Sequence, residues 1–136
     1  MDFLLTDEQR AFRREIRSFA SEEIRPVAIE LDQAHEYPAD ILAALGDRRL
    51  TGLTLPEEYG GRGKGLVELA LLTEELSAAL MAVASTLALH IGVATVIDQF
   101  GTADQREELL PAMSTFETVG ALGLSEAGAG ANKLEM

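Results

Sequence analysis

The chain has 136 residues, 47% hydrophobic and 25% charged, which suits one domain with a buried core and is too apolar for a disordered chain. Asp and Glu outnumber Lys and Arg 23 to 11, a formal net charge of −12. That field repels polyanions, argues against nucleic-acid binding, and leaves any phosphate-bearing ligand to be held by local geometry. The absence of cysteine excludes disulfides, cysteine zinc sites and thiol nucleophiles. The N-terminus starts acidic, without the basic region or long apolar run of a secretory signal, so the expected location is the cytoplasm.

Helical periodicity begins early. Phe12, Ile16, Phe19 and Ala20 form one apolar stripe, and Thr6-Asp-Glu-Gln9 fits a capping box, predicting a helix from Asp7. Pro26 should kink or restart it before it continues through Val27, Ala28, Ile29 and Leu31, ending at His35-Glu-Tyr-Pro38. A short second helix follows with Ile41, Leu42 and Leu45 inward and Gly46 near its end. Residues 56–65 hold one proline and four glycines and must be irregular. A long helix then starts near Gly65, with Leu66, Leu69, Thr73, Leu76 and Leu80 along one face and Val67, Ala70 and Leu71 widening it.

Residues 76–97 carry no Asp, Glu, Lys or Arg, and an uncharged run of roughly twenty residues can span a bilayer. Its alanine content, its Ser, Thr and His residues and its acidic flanks (Glu74, Glu75, Asp98) argue instead for a helix pair at the centre of a bundle, surrounded by neighbours. A helix over 84–100 gives way to Gly101 and a fresh cap at Thr102, followed by Asp104, Gln105 and Glu108, with Leu109, Leu110 and Met113 turned inward. Residues 118–124 are short, uncharged and glycine-interrupted, which reads as a strand. The expected fold is all-α, an up-and-down bundle of five to six helices with a short strand-like C-terminal tail.

Several motifs have plain readings. Gly63-Lys64 lacks the earlier glycine and following Ser or Thr of a phosphate loop, since Glu58 and Gly65 stand there, so residues 60–65 read as a connection. Arg10, Arg13, Arg14 and Arg17 form a solvated face paired with Glu8 and Glu15 on the same helix. His90 reads as a satisfied core residue, and His35 with His90 makes no metal site. The segment Gly120-Ala-Leu-Gly-Leu-Ser-Glu-Ala-Gly-Ala-Gly130 differs, because Gly123, Gly128 and Gly130 would weaken any helix or strand. Such composition allows positive φ or close backbone approach to a ligand, with Ser125 and Glu126 offering a hydroxyl and a carboxylate.

Four motifs in this order, Thr6-Asp-Glu-Gln9, Pro56-Glu-Glu-Tyr-Gly-Gly61, Phe100-Gly-Thr-Ala-Asp-Gln105 and Leu124-Ser-Glu-Ala-Gly-Ala-Gly130, resemble the acyl-CoA dehydrogenase family over essentially the whole chain. The resemblance implies the family's N-terminal helical domain over residues 1–117 and the start of its middle β-domain over residues 118–136. It further implies FAD as cofactor, an acyl-CoA substrate, electron-transfer flavoprotein as acceptor, and a homo-oligomer at full length. Leu122, Leu124, Ser125, Gly130 and Ala131 fall on the flavin-wrapping segment, and Ala131 also meets the CoA arm. The sequence has Ala127, Ala131 and Asn132 where the family often has proline, serine and aspartate. The family's catalytic carboxylate belongs to its C-terminal domain, so no catalytic residue is expected here and the chain alone should not turn over. A noncatalytic helical assembly module is the alternative.

Overall fold

The computed structural model describes residues 4–130. Its α-helices are α1 (Asp7–Phe19), α2 (Arg25–Ala34), α3 (Ala39–Asp47), α4 (Leu66–Ser77), α5 (Met81–Phe100) and α6 (Ala103–Ser114), confirming the all-α class. Both predicted caps form. The Gln9 amide donates to Thr6 Oγ1 at 3.1 Å while Thr6 N donates to Gln9 Oε1 at 3.0 Å, and Thr102 with Gln105 repeats the exchange at 3.2 and 2.9 Å. Removing the cap hydroxyl with Thr102→Ala is expected to cost about 1 kcal/mol, measurable by chemical denaturation.

The break expected at Pro26 is spread over the preceding turn. Residues Ala20–Ile24 form a π-helical turn in which Arg25 N donates to Ala20 O, and the extra residue makes room for a proline in the first turn of α2 without ending the helix. His35 closes α2 in the left-handed region at φ 56°, with Glu36 N bonded to Leu31 O.

The chain stacks α1 on α4, α4 on α5 and α5 on α6. Ile16, Ile24, Leu42, Leu45, Leu72, Leu76, Leu87 and Ile91 fill the main core, and Leu55, Ala94, Leu110 and Met113 form a smaller core under α6. Two expectations are corrected here. On α4 the buried arc is Leu71, Leu72, Glu75 and Leu76, whereas Leu66 and Val67 are exposed, the first turn meeting α1 through Glu68, which accepts from Gln9 at 3.1 Å. Helix α5 is surrounded on one side alone: Val83, Ala84, Leu87, His90, Ile91 and Ala94 face the bundle, while Met81, Leu89, Val96 and Phe100 are exposed. By length and composition α5 could cross a membrane, yet its inner face is a wall of the core.

The arginine face of α1 also pairs differently. Glu8 and Glu15 meet Lys64 and Arg62 across the fold, and Arg13 and Arg17 reach Glu74 and Glu75 on α4. A helix whose partner is one packing distance away offers its long cations a buried carboxylate there, a stronger attraction than an exposed pair on its own surface.

Candidate functional site

The loop before α4 and the end of α6 together hold the chain's exit from the bundle. Thr51, fully buried, donates through Oγ1 to the Ser114 carbonyl at 2.6 Å. Gly52 and Gly60 lie so close to Ser114 that a Cβ on either would come within 2.8 and 2.6 Å of its side chain. Beyond Ser114 the backbone turns at Phe116, φ 68°, and Thr118 N returns to Ala112 O at 3.1 Å.

His90, fully buried on α5, meets this exit from the other side. Its Nε2 lies 2.9 Å from the Met113 carbonyl and its Nδ1 lies 3.0 Å from Gly120 N. A carbonyl only accepts and an amide N–H only donates, so the ring is neutral with its proton on Nε2. Phe116 packs edge-on at 4.9 Å. Burial lowers the imidazole pKa below its ordinary value, with the Met113 carbonyl opposing in part. The sequence reading of His90 as a satisfied core residue holds.

A lowered folded pKa favours the native state above the unfolded value of about 6.5, and that contribution fades as pH falls below it. Denaturation free energy is therefore expected to decline from about pH 7 to about pH 5. The groups touching the ring, namely the Met113 carbonyl, the Gly120 amide and the Phe116 ring, do not titrate. A His90→Gln variant with an unchanged slope would contradict this assignment.

Past Gly120 the predicted strand is absent among the described residues. Residues 121–125 have no regular structure and no backbone partner among the described residues, and are followed by one isolated antiparallel bridge in which Glu126 and Ala129 exchange hydrogen bonds at 2.8 and 3.2 Å. A strand needs a neighbouring ladder, and none of the described residues supplies one. Leu122 and Leu124 are exposed, as are Ser125 and Gly130, while Ala131 lies outside the described residues. The left-handed glycines are Gly60 and Gly63, so Gly128 and Gly130 do not use the positive φ open to them, and neither does Gly123. A Cβ at any of these three would meet nothing within 4 Å.

The five predicted residues are contiguous with this tail, and four lie on its described, open part. The described part of the tail carries chemistry compatible with a flavin nucleotide: over residues 121–125 peptide N–H donors and a hydroxyl without partners among the described residues, two exposed leucines, and no side-chain bulk at Gly123, Gly128 and Gly130. By contrast, a groove of about 340 Å³ between α2 and α3 is lined by Phe19, Val27, Leu31 and Tyr37 and rimmed by Glu23, Glu36 and Asp40. Those carboxylates disfavour an anionic nucleotide. Sequence reasoning missed Thr51 and the Gly120 contact, because both depend on partners more than twenty residues away.

Residues 6–117 match the family described as acyl-CoA dehydrogenase, N-terminal domain. Over 132 residues the chain is 37% identical to the acryloyl-CoA reductase (NADH) of Anaerotignum propionicum, covering 97% of this chain and 34% of that protein. The structure of butyryl-CoA dehydrogenase from Megasphaera elsdenii is similar with a TM-score of 0.90 and 33% identity, over 98% of this chain and 36% of that one. An acyl-CoA dehydrogenase complexed with FAD from Bacillus anthracis is similar with a TM-score of 0.88 and 32% identity, over 97% of this chain and 23% of that one. The chain belongs to the acyl-CoA dehydrogenase family. It spans about a third of the length of the acryloyl-CoA reductase.

Proposed function

We propose that the chain is the N-terminal part of an FAD-dependent acyl-CoA dehydrogenase, which desaturates the α,β bond of an acyl-CoA thioester and delivers the electrons to electron-transfer flavoprotein. The observation that carries this reading is the largely exposed segment 121–130, in which residues 121–125 have peptide groups and a hydroxyl without partners among the described residues, on a helical domain of that family. Residues 1–117 are then the helical domain and residues 118–136 the start of the middle β-domain, in a cytoplasmic protein that is a homo-oligomer at full length.

Bound FAD would supply the hydride acceptor. The residues that would hold it are Ser125, whose hydroxyl would donate to the ring edge, Leu122 and Leu124, whose main chain would line the ring, and Gly130, where the backbone could approach the pyrophosphate. Alanine at position 131 has no hydroxyl with which to contact the cofactor or the CoA arm. With a net charge of −12 the chain has no long-range attraction for these anions, so the segment's local donors do the holding. The α-proton goes to a carboxylate in the family's C-terminal domain, so residues 1–136 alone do not turn over.

The test joins residues 1–136 to the remaining length of the Megasphaera butyryl-CoA dehydrogenase and mixes the yellow protein with butyryl-CoA without oxygen. Loss of flavin colour and release of the α,β-unsaturated thioester support the reading. Ser125→Ala is expected to weaken FAD retention by up to about tenfold, the size of one hydrogen bond. A protein that binds FAD but reacts with no acyl-CoA overturns it. The reductase name of one relative favours the reverse direction as a second reading, distinguished by offering the unsaturated thioester with reduced flavin. The exposed α5 face favours the assembly module, which predicts stable flavin-free dimers by light scattering.

A further inference from the structure

We propose that His90 is a positioning residue: through Nδ1 it holds the Gly120 peptide and so fixes where the glycine-rich segment leaves the helical bundle. Three observations converge on that peptide. Gly120 N donates to Nδ1 at 3.0 Å, and the ring's other nitrogen is committed to the Met113 carbonyl at 2.9 Å, so the lone pair can face only Gly120. A Cβ at Gly120 would sit 2.9 Å from both Met113 Cε and Val93 Cβ, so the peptide lies flush against α5 in a way only glycine permits. Phe116, in the left-handed region at φ 68°, places its ring against the imidazole.

An apolar residue of similar size would fill the same space but take the acceptor from the half-buried Gly120 amide and leave the Met113 carbonyl with Phe116 N alone, at 3.2 Å, a loss felt most at Gly120. The imidazole's two nitrogens, one donor and one acceptor, join the end of α6 to the start of the segment across α5. The consequence for catalysis rests on the proposed function: if residues 121–130 wrap a flavin, His90 sets their position relative to α5. The contact itself does not depend on that reading.

The experiment measures amide exchange and imidazole nitrogen shifts by NMR on the 136-residue chain near neutral pH. In the unaltered protein the Gly120 amide is expected to exchange at least about fivefold more slowly than those of Ala121 to Leu124, the effect of one ordinary hydrogen bond, and His90 to show its proton on Nε2. His90→Gln keeps a donor near Nε2 and loses the acceptor, and should speed Gly120 exchange about fivefold. His90→Asn keeps an acceptor near Nδ1 and should restore protection. Gly120 exchanging as fast as its followers, a proton on Nδ1, or equal acceleration in both variants would overturn the proposal. If neither variant folds, the unaltered protein decides. Neither readout involves flavin, so a failure to bind FAD would defeat the functional reading and leave this one standing.

Discussion

Gly61→Ala is expected to destabilise the domain by at least about 3 kcal/mol, the upper end of the usual cost of overpacking. Gly61 is buried, and a Cβ there would fall 2.1 Å from the Leu55 carbonyl oxygen, 2.5 Å from its carbon and 2.6 Å from its Cβ. None of these atoms is the free end of a flexible side chain. Leu55 is itself buried in the small core under α6, and its carbonyl accepts from Gly63 N at 2.9 Å. The adjacent bonds Arg62 N to Gly52 O and Lys64 N to Leu53 O, at 3.1 and 2.9 Å, knit the loop back on itself, so relief at Gly61 breaks several of them. Thermal unfolding followed by circular dichroism should show a midpoint about 10 °C lower or more. A shift corresponding to under about 1 kcal/mol would mean the loop relaxes freely.

Glu75→Gln is expected to cost about 2 to 3 kcal/mol, because a buried charged acceptor shared by two guanidiniums is replaced by a neutral amide. Arg17 Nη2 and Arg13 Nε lie 2.8 and 2.7 Å from one carboxylate oxygen, and Arg17 Nε lies 2.9 Å from the other. Hydrogen bonding from Arg17 is the largest influence on the carboxyl; with Arg13 it outweighs the opposing effect of burial and holds the pKa at about 2. The folded value lies below the unfolded one, so the stabilisation is complete above about pH 4.5 and is lost as pH falls towards about 2. The shift bounds that contribution at about 3 kcal/mol, and solvent around the partly exposed arginines reduces it. Denaturant titrations at descending pH should show this loss in the unaltered protein and not in Glu75→Gln. Parallel curves would contradict the assignment.

The helical architecture was legible because its signals are local. Thr6 with Gln9, Thr102 with Gln105 and the stripe from Phe12 to Phe19 involve residues within a few turns of each other, and all appear as read. What stayed hidden depended on neighbours distant along the chain. Glu75 stands beside Glu74 like any exposed acidic pair and shows no sign in sequence of the two arginines of α1 that meet it. The exposed side of α5 reads as core because its outer residues are as apolar as its inner ones. The strand-like 118–124 carries a strand's composition without a ladder to join among the described residues. The tail's chemistry was visible as free hydroxyl and glycine, but the anchoring of its start by His90 needed the three-dimensional approach of α5, α6 and Gly120.

The central claim is that residues 121–130 contribute backbone and a hydroxyl to a flavin site. Its most direct test is the amount of FAD retained, after exhaustive gel filtration, by residues 1–136 fused to the remaining length of the Megasphaera enzyme. The account predicts about one flavin per chain, with the cofactor lost more readily from Ser125→Ala. A fusion that folds and assembles by light scattering yet emerges colourless, with added FAD washing straight through, would contradict it.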